Sequence, residues 1–213
     1  MKQTLLITLA IAGIFALGAC KGTCTTKGSD VDTLCNIDPP CCDPEAIIYL
    51  QPYEDFTQSE AYEIKAKLLK VIPYMFVGAE RVEVLPNRHL PKNAYYKPRN
   101  RYLAHELLKD LKERPQYIEY VVGLTHKDIS YKIHGYENYG IMGLTPLGHH
   151  KSIVSDYRVK GDEFISVILH EFGHGFWALK HCEDQNCLMC DYSKLKKKRI
   201  SRKFCSKHEY VQF

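Results

Sequence analysis

This chain has no apolar run long enough to cross a bilayer as a helix, and it carries little net charge. Its apolar stretch from about Leu5 to Leu17 falls short of the ~20 residues that a spanning helix needs. Lys and Arg total 29 against 25 Asp and Glu, a formal charge of +4, which is too small to argue for a nucleic-acid partner. Internal repeats are missing, and no second large core is visible. What remains is an ordinary globular balance, 45% hydrophobic and 25% charged over 213 residues, enough for one domain with a real core plus a small appendage. Basic residues do gather in "KLKKKRISRK" (194–203). That run reads as a solvated face, with a polyanion or a membrane surface as the alternative partner.

The first 20 residues, "MKQTLLITLAIAGIFALGAC", stand apart. A Lys, an apolar stretch and then small residues is the order of a signal peptide. The ending "LGAC" resembles a bacterial lipoprotein box. That resemblance implies a signal peptide over 1–19 and an exported protein anchored to the cell envelope by lipid on Cys20, with the membrane face left open. The alternative is a plain signal peptide followed by a chance cysteine. Export permits disulfides. Cys24, Cys35, Cys41 and Cys42 lie in residues 20–45, rich in Gly, Thr, Ser, Asp and Pro, and read as a tether stapled by two bridges. Cys182, Cys187, Cys190 and Cys205 form a second cluster.

The folded part begins near Ala46 and runs to 213. "AIIYLQPY" (46–53) reads as a buried strand. "TQSEAYEIKAKLLKVIPYMF" follows as a helix with a Thr57–Glu60 capping box and a stop at Pro73. "RVEVLP" (81–86) alternates like a strand, and "PRNRYLAHELLKDLKERP" aligns Leu103, Leu107 and Leu111 on a helical stripe. "YIEYVVGLT" (117–125), "YGIMGLTP" (139–146) and "KSIVSDYR" (151–158) read as strands. "DEFISVILHEFGH" (162–174) reads as a helix with Ile165, Ile168 and Phe172 facing inward. The order predicts one α/β domain of the α+β type. Its twisted sheet is mixed, because the last three strands are too close for helical crossovers.

The chemistry concentrates in "HEFGHGFWALKHCEDQNCLMC" (170–190). His170 and His174 are four apart on a helix, so their imidazoles share a face and can share one ion. Glu171, directly after the first, can reach a water on that ion. The bland alternative is two surface histidines beside a solvated glutamate. His181 joins them only if the chain turns back, and Gly175 is the residue nearby that enters a left-handed conformation freely. His89, His105, His126 and His134 have no ligand spacing and read as ordinary polar residues. His149 and His150 follow Gly148 in a turn, exposed or lining the cleft.

His170, Glu171, His174, His181-Cys182, Cys187 and Met189 together resemble the archaemetzincin branch of the metzincin metallopeptidases, whose pattern is HExxHxxGxxHC, four residues, CxM, then a CxxC pair. Segments 90–111, 121–129 and 139–158 are similar too, so the likeness spans roughly 46–208. The resemblance implies a metzincin-like domain with two packing helices and an active-site helix. It also implies a zinc-dependent metallopeptidase acting on a peptide or protein substrate as a monomer. A catalytic zinc on His170, His174 and His181 would activate water, with Glu171 as general base and Met189 in the turn beneath. A second, structural zinc would use Cys182, Cys187, Cys205 and His208 in a C-terminal region, 182–208. The extended substrate would pair with an edge strand, here "YGIMGLTP", where Gly140 and Gly143 leave room or else serve as bulge or packing glycines. The resemblance also offers Tyr192 an approach to the zinc, as tyrosines make in some metzincins, with packing as the plainer role.

Three departures accompany the likeness. His181 comes seven residues after His174, one more than in the family, with Trp177-Ala178 where the family has its turning glycine. The expected geometry is a helix ending at Gly175 and a longer loop over 176–180. The final pair is CxxH, and Cys190 competes for the second zinc. Disulfides Cys182–Cys205 or Cys187–Cys205 are the alternative to that zinc. The shifted histidine also motivates a rival function, a zinc-stabilised binding lipoprotein of the same fold without turnover. A third reading is a disulfide-stapled structural lipoprotein with an accidental HExxH.

Overall fold

Alternation along two strands decides how the layers stack. In chain order the elements are β1 (Ile47–Pro52), α1 (Gln58–Met75), β2 (Arg81–Val84), β3 (Tyr95–Tyr96), β4 (Arg101–Leu103), α2 (Ala104–Asp110), β5 (Glu119–Thr125), β6 (Ile129–Ile133), β7 (Tyr136–Ile141), β8 (Gly143–Leu144), β9 (Lys151–Ser155) and α3 (Asp162–Phe176), joined in part by short 3-10 turns. The computed structural model describes residues 47–75, 81–112, 119–133, 135–194 and 200–211. The expected leader, Cys20, the tether cysteines, His134 and part of the basic run lie outside the described residues.

Ile48 and Leu50 of β1 and Val122 and Leu124 of β5 are buried on one face, against Leu68 and Ile72 of α1 and Ile165, Ile168 and Phe172 of α3. Tyr49 and Val121 point the other way, toward Leu107, Leu108 and Leu111 at α2. A strand covered on both faces must be apolar at consecutive positions, which is why "YVVGLT" shows no polar alternation. The five-stranded sheet runs β2-β1-β5-β9-β8. Its first four strands are parallel, and β8 is antiparallel to β9. A second sheet, β3-β4-β6-β7, carries both orientations. The expected mixed α/β domain is present. The segment 139–144 ends both sheets, since β7 is the edge of one and β8 the edge of the other.

Several boundaries differ from the sequence reading. α1 continues past Pro73 to Met75. α2 starts only at Ala104. Leu103 belongs to β4, so Leu107 and Leu111 share the buried stripe without it. β6 was not expected: "ISYKI" is short and has polar residues within it, but it pairs with β4 and β7. No described helix is long and apolar enough to cross a membrane.

The capping box forms as expected: the Thr57 hydroxyl accepts from the Glu60 amide, and Glu60 accepts from the Thr57 amide at 2.8 Å. Glu60 also reaches His126, whose other nitrogen lies 2.7 Å from Asp156 and whose ring stacks on Phe56. Burial works against charge on this imidazole. Asp156 and then Glu60 outweigh it and hold His126 above the ordinary histidine value. A group raised on folding stabilises fully below its unfolded value, and that stabilisation disappears as pH climbs through the folded value. His126→Gln should therefore lower the melting temperature more at pH 5.5 than at pH 8.5. Thermal melts of both proteins at the two pH values test this, and an equal gap at both would show that the ring packs neutral.

Candidate metal centre

α3 carries His170 and His174 one turn apart on the side facing a cleft of about 790 Å³. The helix runs one residue past Gly175, to Phe176, and the residue that turns the chain is Ala178, at φ +49°. Gly175 stays helical. The absence of a side chain there makes room for the ring of Tyr120, whose carbon Cε2 lies 2.4 Å from where a Cβ would stand. From Ala178 the chain doubles back and brings His181 to the other two rings. Ring centroids are 4.7 Å apart for His170–His174, 4.9 Å for His174–His181 and 5.3 Å for His170–His181. One ligand atom from each lies within 4.8 Å of the others. The extra residue in the spacing is absorbed by the loop, which removes the motive for a site without a third imidazole.

Orientation comes from the far side of each ring. His170 Nδ1 donates to the Leu188 carbonyl at 2.7 Å, and His174 Nδ1 donates to the Leu179 carbonyl at 2.6 Å. A carbonyl only accepts, so Nδ1 carries the proton and Nε2 presents its lone pair to the cleft. Beyond His181 stands Asp191, 4.0 Å from Nδ1. The Nε2 atoms of His174 and His181 face each other at 3.3 Å. Two lone pairs at that distance repel unless a cation or a proton lies between them. Burial keeps His170 and His174 uncharged, lowering the first to about 3 and the second to about 4. Neutral imidazole is the form that binds metal.

Glu171 is 5% exposed, and its Oε2 has no hydrogen-bond partner. Burial pushes it up to about 8. A dication among the three rings would pull it back toward the carboxylate. Gly143 of β8 lies directly on it: a Cβ there would be 2.3 Å from Oε1. Gly140 is similarly filled by the Arg158 guanidinium, so the space at both glycines is taken by this chain's own side chains. Met189 is fully buried beneath α3, with its sulfur 2.3 Å from where a Cβ on Gly173 would be.

A second set converges behind the first. Cys182, Cys187, Cys205 and His208 bring four donor atoms within 4.8 Å of one another. The Sγ atoms of Cys182 and Cys205 are 3.7 Å apart, and His208 Nδ1 lies 3.4 Å from Cys187 Sγ and 3.6 Å from Cys205 Sγ. These three separations are the size of the edges of a tetrahedron with bonds of about 2.0–2.3 Å, as zinc prefers. All four cysteines here are unbonded thiols, so the disulfide alternatives are not formed. Cys190 is buried outside the quartet, with Sγ 3.7 Å from the Asp191 carbonyl.

Other candidates fall elsewhere. His149 is exposed and His150 lies against Tyr120 and Phe176, and neither lines the cleft. His89 pairs with Glu54 and His105 with Glu106, both away from it. Tyr192 does line the cleft, as do Asp191 and Lys180. Sequence reasoning missed Asp191 and the Leu179 and Leu188 carbonyls. A backbone acceptor leaves no trace in residue type.

The fold and these donor sets define the class: a metal-dependent hydrolase. Comparison with known proteins agrees. The chain is 32% identical to an archaemetzincin of Methanopyrus kandleri over 124 residues, which is 54% of this chain and 68% of that protein. It is similar to the crystal structure of archaemetzincin from the same organism, with 27% identity and a TM-score of 0.63 over 79% of this chain and 94% of that one. It also resembles the Archaeoglobus fulgidus archaemetzincin complexed with malonate, with 26% identity and a TM-score of 0.59 over 78% and 99%. No protein-family model matches. The chain belongs to the archaemetzincin family and is a zinc metallopeptidase.

Ala178 holds a left-handed conformation that costs a non-glycine residue about 1–2 kcal/mol, partly offset by the entropy glycine loses on folding. Ala178→Gly should therefore raise the melting temperature by roughly 2 °C in a protein of this size. A fall in calorimetry would mean that the methyl, 3.8 Å from a Cβ built at Gly148, contributes more than the strain takes away.

Proposed function

We propose that this enzyme cleaves peptide bonds at a zinc held by the Nε2 atoms of His170, His174 and His181, with Glu171 as general base. The observation that carries this is the convergence of one ring nitrogen from each of the three histidines in the cleft where the unpartnered Oε2 of Glu171 is buried. Zinc bound there supplies a Lewis acid that polarises a carbonyl and lowers the pKa of water toward 7. The Leu188 and Leu179 carbonyls hold the two helix imidazoles in the tautomer that the ion requires, and Asp191 faces the third. Glu171 takes the proton from the attacking water and passes it to the leaving nitrogen. β8, whose outer edge has no strand partner among the described residues, offers its backbone to an extended substrate. Met189 supports the floor from below. Cys182, Cys187, Cys205 and His208 hold a second, structural zinc, and Cys190 is not a ligand.

Metal analysis and a peptide-library assay test this reading together. The wild type should bind two zinc ions and cleave. Glu171→Gln should keep both ions and lose activity by about three orders of magnitude or more. Cys205→Ala should keep about one ion, with a lower melting temperature. A fully loaded wild type no faster than Glu171→Gln on every peptide would favour a binding lipoprotein of the same fold.

We infer also that the protein is exported and tethered by lipid on Cys20, on the strength of "LGAC" after the apolar leader. Wild-type protein should partition into the membrane fraction with an acylated Cys20 in mass spectra, and Cys20→Ser should not. An unmodified Cys20 in the mature wild type would remove the anchor from the proposal.

A further inference from the structure

Beside the metal cleft lies a second cavity of about 480 Å³, lined mostly by polar groups. Tyr136, Tyr139, Gly140 and Arg158 line both, so a peptide lying along β7 passes from one to the other. Arg99, Arg101 and Arg158 face this second cavity. Beneath them is Asp128, whose side chain is 9% exposed. Arg158 donates to it through Nε at 3.0 Å and Nη2 at 2.8 Å, and Arg101 donates through Nε at 2.6 Å. Arg101 Nη1 donates to the Asn138 carbonyl at 2.8 Å. Gly140 lets the Arg158 guanidinium lie flat against β7, where any Cβ would be 2.2 Å from Nη2.

One buried carboxylate therefore orients two guanidiniums and neutralises only one of them. Among the described residues, Arg158 Nη1 and Arg101 Nη2 keep their donors free, and the exposed Arg99 has no partner. Glu137, the acid on the cavity wall, is paired with Lys132 at 2.5 Å. The cavity has an excess of positive charge, presented by planar forks whose side chains are already ordered. That arrangement selects a carboxylate, because little entropy is lost when the second edge of an ordered guanidinium is engaged.

We propose that this cavity is a substrate subsite for a peptide carboxylate, either an acidic side chain near the scissile bond or the free C-terminus. The inference rests on the hydrolase reading, since it shares that cleft. The test uses zinc-loaded full chain and peptides that differ only in Glu, Gln or Lys at each position within four of the cleaved bond. Every peptide is made with a free and with an amidated C-terminus. The expected result is about a tenfold higher kcat/KM for Glu over Gln at one position, or for free acid over amide if the carboxylate is terminal. The preference should shrink several-fold in Arg99→Gln and vanish in Arg158→Gln. Arg158→Lys should keep part of it, because the charge remains while the fork is lost. Arg99 is exposed, so its variant should fold normally, and melting temperatures check the Arg158 pair.

Cleavage with no carboxylate preference at any position, or a preference untouched by both glutamine variants, overturns the subsite and leaves the hydrolase standing. If the wild type cleaves nothing, fluorescence anisotropy with the same labelled peptides decides instead. Tighter binding of the carboxylate peptide that is lost in Arg158→Gln supports the subsite although hydrolysis has failed, and equal binding of all peptides sinks both.

Discussion

The hydrogen bond from His170 to the Leu188 carbonyl joins the two ends of the molecule's chemistry. Leu188 lies between Cys187, one of the four convergent donors, and Met189, which packs beneath α3. The Leu188 amide donates to the Lys203 carbonyl, and the Cys182 amide donates to the Met189 carbonyl. The loop that orients the first imidazole is thus held by the segment that carries the second donor set. A displacement of the 182–190 loop would disturb the ring of His170, the floor under the cleft and the quartet together. A helix alone could supply two histidines, but it could not hold their far nitrogens.

Burial decides the electrostatics. In water the imidazoles of His170 and His174 would titrate near neutrality and the glutamate near its ordinary value. Within the cleft His170 and His174 stay neutral and the Glu171 carboxyl is driven up, because a low-dielectric site disfavours every isolated charge. The result is a pair of neutral ring donors suited to a cation, beside one carboxylate oxygen left without a partner. The same logic applies to Cys187, whose thiol burial pushes well above its usual value. A thiolate there is stable only with a cation beside it. Arg101 and Arg158 are the opposite case, held charged around Asp128 at the end of the cleft.

Much of this architecture was readable in the sequence, and the reasons differ by element. β1, β5 and α3 are built around the apolar-rich runs "IIYL", "YVVGL" and "FISVIL", which made their burial legible. β6 was invisible because its pairing with β4 and β7, rather than its own residues, makes it a strand. α2 was misjudged at its start because Leu103 suits a strand end and a helical stripe equally. Gly175 looked like the turning residue by composition, yet Tyr120 claims the space beside it and Ala178 takes the left-handed angle.

Residue type and spacing by themselves determined the identity of the donors, the helical face shared by His170 and His174, and the likeness to one family of metallopeptidases. These are local properties, set by the 3.6-residue helical period and by the chemistry of imidazole and thiolate. Only the tertiary structure decided whether His181 reaches the other two, which cysteine stands aside from the quartet, and which oxygens hold the rings. Those outcomes depend on where a loop lands after leaving a helix. That landing is settled by packing among residues far apart in the chain, Tyr120 against Gly175 and Lys203 against Leu188, which no local pattern encodes.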